Sequence, residues 1–202
     1  MKTTTLCAGL LMVSATVLAQ NIQLPAPQKS GGKPLMEALS QRQSAREFDA
    51  KALSEQTLSN LLWAAFGFNR DGKRTAPSAN NRQEFEVYAA LEKGLYLYNA
   101  KDNALELVKS EDLRAKTGRQ GFTSVAPLNL IYAYDTKKMP DEKMAYADCG
   151  FISQNVYLYC ASEGLATVVR GAVDKDGLAQ AMGLKSGYAV ALAQTVGYPK
   201  TK

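Results

Sequence analysis

Leu128-Asn129-Leu130-Ile131-Tyr132-Ala133-Tyr134 is the stretch on which the fold turns. Its almost continuous apolar run reads as a strand covered on both faces, which places it at the centre of a sheet. After a polar interval, Met139 to Gly164 holds the longest helical pattern, roughly Glu142 to Ser162, and Gly164 stops it. That helix is apolar all round, so burial is expected for it. Downstream follow a brief strand at Ala166 to Val169, a helix of about two turns at Lys175 to Met182 and a last strand at Tyr188 to Val196.

Upstream, Glu86 to Leu91 and Leu95 to Tyr98 flank Glu92-Lys93-Gly94 and predict a hairpin, with Ala104 to Val108 as a third strand and Glu111 to Thr117 as a short helix. Arg70 to Gln83 is a long polar connection containing Asp71-Gly72 and Ala76-Pro77-Ser78-Ala79-Asn80-Asn81. Loops of that length in a compact domain are often binding loops. Ser54 caps a helix whose buried side is Leu58, Leu61, Leu62, Ala65 and Phe66, and Gly67 ends it. An earlier helical stripe of Leu35, Met36, Ala38 and Leu39 runs into Arg42-Gln43-Ser44-Ala45-Arg46. Helices and strands mix without regular βαβ alternation, which favours an α+β fold with helices packed on an antiparallel or mixed sheet.

The amino terminus reads differently. Lys2 precedes an apolar run from Leu6 to Ala19, and Val17 and Ala19 are small residues suited to cleavage after position 19. The run is about 14 residues, short of the ~20 that span a bilayer. Residues 1–19 are therefore expected to be a signal peptide, with a retained amino-terminal anchor as the alternative. The expectation is an exported protein, periplasmic or secreted, without a stable membrane anchor. Pro25, Pro27, Gly31 and Gly32 mark residues 20–32 as a linker, and a single domain spans 33–202.

With 202 residues, 46% of them hydrophobic and 21% charged, the chain has the balance of an ordinary globular protein. Its net charge of +5 is spread among acidic residues, as in Lys109-Ser110-Glu111-Asp112-Leu113-Arg114-Ala115-Lys116, so no nucleic-acid stripe is present. Histidine is absent, which excludes Ser-His-Asp and Cys-His catalysis and the His-Glu-x-x-His zinc site. Cys149 and Cys160 sit in one helix, about 16 Å apart at 1.5 Å per residue, beyond the ~7 Å a disulfide allows. No metal site is expected, and reactive chemistry would arrive with a cofactor.

The basic cluster has two readings. Arginines at i and i+4 of a helix repel by roughly 0.2–0.5 kcal/mol, which an anion would offset. Arginine's planar fork suits a phosphate, and Ser44 adds a neutral donor. The other reading is a solvated basic helix end favoured by the helix dipole.

Three separated segments together resemble the FMN-dependent nitroreductase family. Arg42-Gln43-Ser44-Ala45-Arg46-Glu47-Phe48 is similar to its Arg-Arg-Ser-x-Arg-x-Phe opening, with Gln43 replacing the second basic residue. Pro77-Ser78-Ala79-Asn80-Asn81-Arg82-Gln83 resembles its Pro-Ser-x-x-Asn-x-Gln loop. Glu163-Gly164-Leu165-Ala166-Thr167-Val168-Val169-Arg170-Gly171 is similar to its Gly-Leu-Gly-Thr-x-x-x-Gly strand and turn, and Gly197-Tyr198-Pro199 to its closing Gly-Tyr-Pro. A smaller likeness, in Pro-Ser-x-x-Asn and Leu61-Leu62-Trp63-Ala64, is to flavin dehydrogenases that oxidise azoline rings in modified peptides.

The resemblance implies a three-layer α/β/α sandwich with a mixed, mainly antiparallel sheet, and a homodimer holding FMN at the subunit interface. Arg42, Gln43, Ser44 and Arg46 would hold the phosphate and ribityl end. Ser78 and Asn81 would come from the partner subunit. The backbone around Val169, Arg170 and Gly171 would face flavin N5 and O4, with glycine allowing close approach to the ring. Lys200 or Lys202 would reach the phosphate. The implied activity is ping-pong hydride transfer through flavin N5 from NAD(P)H to a quinone, nitroaromatic or similar small acceptor. Two alternatives stand beside it: an exported, non-catalytic binder of FMN or a small ligand, and a flavin dehydrogenase acting on a peptide-derived heterocycle.

Overall fold

The computed structural model describes residues 20–201, so the expected signal peptide and Lys202 lie outside the described residues. In chain order the elements are β1 (Ile22–Gln23), α1 (Leu35–Gln41), α2 (Glu55–Phe66), β2 (Phe68–Arg70), β3 (Lys73–Arg74), β4 (Phe85–Leu91), β5 (Gly94–Asn99) and β6 (Ala104–Lys109). They continue with α3 (Phe122–Val125), β7 (Leu128–Asp135), α4 (Glu142–Glu163), β8 (Ala166–Arg170), α5 (Lys175–Met182) and β9 (Tyr188–Gly197).

The main sheet runs β1-β6-β5-β4-β7-β9-β8, and every pairing in it is antiparallel. β7 lies between β4 and β9, with Tyr88 opposite Ile131 and Ile131 opposite Ala193. Alternation along β7 divides the core. Leu128, Leu130, Tyr132 and Tyr134 face a cluster that includes Leu61, Leu62, Cys149, Ile152 and Val156 of α2 and α4. Ile131 and Ala133 face Leu113, Leu178 and Met182, the latter two on α5. Two helical layers around one sheet make the three-layer sandwich.

Helix boundaries follow their caps. Ser54 Oγ accepts the Thr57 N–H at 3.1 Å at the start of α2, and Asp141 Oδ1 accepts the Lys143 N–H at 2.9 Å at the start of α4. Gly164 ends α4 at φ 69°, a left-handed conformation that glycine adopts without steric cost. Cys149 and Cys160 are free and buried, and burial pushes both thiols up. No described helix is long and apolar enough to cross a membrane.

Several expectations need correction. Residues 20–32 are more than a linker: β1 pairs with β6, Ile22 and Leu24 are buried, and the Pro25 carbonyl accepts from Ser59 and Asn103. The long connection holds a two-stranded ribbon, β2 with β3. The short helix at Glu111 to Thr117 is a 3₁₀ turn over Arg114–Thr117. Helix α4 is not buried all round, since Met144 is 42% and Phe151 47% exposed. On α1 only Ala38 is buried; Leu35, Met36 and Leu39 face outward at 62%, 75% and 42% exposure.

Candidate active site

Helix α1 stops at Gln41, and Arg42 is extended at φ −58°, ψ 122°. Arg42 caps the helix by donating its N–H to the Ala38 carbonyl at 2.9 Å, and the rest of the basic cluster lies beyond the helix. The cause is tertiary: β8 is the last strand of the sheet, and its free edge captures the segment as the Ala45 N–H donates to the Thr167 carbonyl at 2.9 Å. Three residues on, Phe48 bridges to Pro199, and the Asp49 N–H donates to the Tyr198 carbonyl at 3.0 Å. Residues 42–48 are thus sewn between β8 and the carboxy-terminal tail.

A cleft of about 490 Å³ opens along this seam, within the roughly 300–1,000 Å³ usual for small-molecule sites. Arg42, Gln43 and Ala45 line it from one side, with Tyr157, Thr167 and Pro199 among its other walls. Arg42 and Arg46 have no carboxylate within ion-pair distance among the described residues. Arg46 lies outside the lining, but the uncompensated Arg42 guanidinium within it suits an anion.

Tyr157 organises this wall. Its ring lies under the Arg42 guanidinium at 5.2 Å, a cation–π contact that fixes the arginine. Its hydroxyl accepts the Val169 N–H at 3.0 Å and is 2.8 Å from Ser44 Oγ. When Tyr157 donates to Ser44, the serine hydrogen is left for a ligand. Sequence reasoning missed this residue because it read Tyr157 only as part of a buried helix. The available signal was a hydroxyl about two turns before the Gly164 stop, on the helix leading into β8.

In the third motif the groups differ in how far the chain itself engages them. The Val169 amide, expected to face the cofactor, is already engaged by Tyr157. The Arg170 side chain is 5% exposed and turned inward: Nη1 donates to the Thr117 carbonyl at 2.6 Å, and Nη2 to Asn129 Oδ1 at 3.0 Å. Its guanidinium also lies 5.9 Å from the Phe122 ring. Burial pushes Arg170 down to about 10, so it stays charged at neutral pH. Its side chain is thus held within the fold. Gly171 is exposed, and a Cβ there would meet only Leu192 at 3.7 Å. Nothing within the chain demands glycine at that position, and the space over it is open.

Ser78 and Asn81 line another cleft, of about 380 Å³, with Asn69, Arg70 and Lys73. Ser78 Oγ accepts the Gln83 N–H at 3.0 Å, and Asn81 Nδ2 donates to the Gly72 carbonyl at 3.3 Å. One chain does not unite this loop with the arginine cleft. Lys200 is exposed, and its backbone meets the Glu47 carbonyl at 3.5 Å, next to Arg46. Gln43 and Arg46 are likewise exposed.

The model of the Nitroreductase family matches residues 39–198, from the end of α1 through Tyr198. The chain belongs to this family. The nitroreductase match takes in all three motifs and the strands that carry them. MJ1384 of Methanocaldococcus jannaschii, a nitroreductase by assignment, is 31% identical over 168 residues, covering 75% of this chain and 83% of that protein. A crystal structure from Ralstonia eutropha JMP134, likewise assigned as a nitroreductase, superposes with a TM-score of 0.87 at 41% identity, covering 96% of this chain and 97% of that one. A Desulfovibrio desulfuricans protein of the same assignment, crystallised in complex with FMN, shares the fold at a TM-score of 0.64 and 20% identity, covering 85% of this chain and 89% of its own. The nitroreductase fold seen in these structures is the sandwich described above.

Proposed function

We propose that this nitroreductase-family oxidoreductase uses FMN, carries electrons from NAD(P)H to a quinone, nitroaromatic or similar small acceptor, and works as a homodimer exported from the cytoplasm. The observation that supports it most is the cleft on the β8 edge, lined by Arg42, which stacks on Tyr157 beside the Ser44 hydroxyl, with Arg46 exposed in the same segment and neither arginine paired with a carboxylate among the described residues. The residues fit a phosphate-bearing cofactor. Arg42 and Arg46 would neutralise its phosphate, with Gln43, Ser44 and Lys200 as further donors, and open space over Gly171 admits a planar ring.

When bound, FMN supplies a two-electron carrier that takes electrons from the reduced donor and passes them to the acceptor. The chain contributes position and charge. Tyr157 holds Arg42 by its ring and Ser44 by its hydroxyl, so the donors are fixed before a ligand arrives. Lacking histidine, the chain offers no side chain whose ordinary titration falls near neutrality, which fits electron transfer in which the cofactor carries the chemistry.

The loop with Ser78 and Asn81 lies apart from the arginine cleft in one chain, and a second subunit would bring it there. Outward-facing Leu35, Met36 and Phe151 supply apolar surface for such a partner. Export rests on the apolar run of residues 6–19.

Replacing Arg42 and Arg46 together by alanine should weaken FMN retention by about a hundredfold or more, since hydrogen bonds to charged groups contribute roughly 1.5–3 kcal/mol each. A flavin spectrum of the purified protein and a titration with FMN measure it. A wild-type protein that cannot be reconstituted with FMN overturns the proposal. One that binds FMN but is never bleached anaerobically by NADH or NADPH leaves the non-catalytic binder instead.

A further inference from the structure

The loop that carries Ser78 and Asn81 ends on a buried carboxyl. Glu84 is 1% exposed, and neither of its carboxyl oxygens has a hydrogen-bond partner among the described residues. It faces the carboxyl of Asp148 on α4, itself 2% exposed. Asp148 Oδ2 accepts the Ala79 N–H at 2.9 Å, and the Glu84 carbonyl accepts the Asp135 N–H at 3.0 Å. Asp148 therefore grips the start of the loop, while the residue closing the loop leans on the same carboxyl.

Between these two anchors, Asn80, Asn81 and Gln83 hold left-handed backbone at φ 52°, 53° and 47°. Such conformations are strained for residues with a Cβ and persist only where their surroundings fix them. Two ionised carboxylates buried face to face would push the anchors apart. One proton between them turns that repulsion into a charge-assisted hydrogen bond and satisfies one of the two orphaned Glu84 oxygens.

We propose that Glu84 and Asp148 are positioning residues that share one proton, and that this proton latches the Pro77 to Gln83 loop onto α4. The consequence for cofactor binding rests on the assignment of Ser78 and Asn81 made above; the latch itself does not. The surrounding charges are otherwise engaged. Arg82 attracts Glu84, yet its Nη1 donates to the Lys138 carbonyl at 3.1 Å. The Cys149 thiol is held protonated by burial, Lys175 bonds the Tyr146 hydroxyl, and the Asp135 carboxylate accepts the amides of Lys137 and Lys138.

Burial first, and Asp148 beside it, push Glu84 up to about 7 from an ordinary 4.5. A carboxyl raised in the closed state favours closure fully below its open-state value. The latch is thus complete near pH 4.5, weakens as pH rises, and has lost its proton above about 7.

Amide hydrogen exchange of the loop between pH 5 and 8, corrected for intrinsic rates, tests this on the full chain. Protection at Ala79 and its neighbours should fall by up to roughly tenfold per pH unit and level off above neutrality, the limit for one proton. Glu84→Gln keeps a donor toward Asp148 and should flatten the profile. Asp148→Asn, the second variant if the first does not fold, removes the facing charge and should move the fall to lower pH.

An unchanged slope in either variant, or no slope in the wild type, overturns the proposal. So does recovery of protection at pH 8 with magnesium or calcium, which would mean a cation site. If loop exchange follows pH while FMN affinity does not, the latch stands and the assignment of Ser78 and Asn81 to the cofactor falls.

Discussion

At the scale of single residues, Tyr157 links both halves of the arginine wall. Tyr157→Phe keeps the ring under Arg42 but leaves the Val169 N–H and Ser44 without their partner. An unsatisfied buried donor costs about 1–3 kcal/mol, so thermal unfolding should shift down by several degrees. FMN affinity should fall about tenfold through Ser44 while arginine-dependent binding remains; equal affinity in a flavin titration would remove Tyr157 from the site. Gly118 tests a different contact. Its φ of 176° is open to any residue, but a Cβ would fall on Arg170 Nη1. That guanidinium is pinned by Thr117 and Asn129 and cannot swing away. Gly118→Ala should therefore destabilise by roughly 1–3 kcal/mol, the usual range for overpacking. In a double-mutant cycle with Arg170→Met, measured by denaturant unfolding, most of that cost should vanish.

At the scale of elements, what could be read from the sequence was whatever local pattern decides alone. The apolar run at β7, the Ser54 and Gly164 caps, the hairpin around Glu92-Lys93-Gly94 and the two-turn α5 all carry their cause within a few residues, and the structure follows them to within a residue or two. Among the motif residues, Arg42 and Gln43 line a cleft. What failed depended on distant partners. The sequence around Arg42 continues a helical stripe, yet the free edge of β8 takes the Ala45 amide and holds the segment extended. Residues 22–24 have turn-rich neighbours, yet β6 offers them an edge. The resemblance speaks only of the backbone around Arg170; that strand alternation turns its side chain to Asn129 and Thr117 is a matter of register that composition does not reveal. The Glu84 and Asp148 pair was invisible for the same reason, being separated in sequence by four strands, α3 and the start of α4.

At the scale of the whole molecule, the apolar stripe of α1 points out of the chain that was expected to bury it. Leu35 and Met36 are 62% and 75% exposed, and α1 packs on α4, whose Met144 and Phe151 are also uncovered. At Gly150, between them, a Cβ would meet nothing within 4 Å. Exposed apolar side chains on two packed helices, with a glycine opening the surface, suit a second helix approaching closely. If that helix belongs to another copy of this chain, the pairing is the proposed dimer, in which the loop of Ser78 and Asn81 from the second copy would complete the arginine cleft. Phe151→Glu should then weaken self-association by roughly thirtyfold or more, as expected for a central aromatic anchor. Val108→Glu, an equally exposed apolar position at 43% on β6, should leave it unchanged. Light scattering on a sizing column over a dilution series separates the two. A Phe151→Glu protein that stays dimeric places the interface elsewhere. One that becomes monomeric and still retains FMN shows that a single chain completes the cleft, whereas joint loss of dimer and cofactor means that the site is built from both.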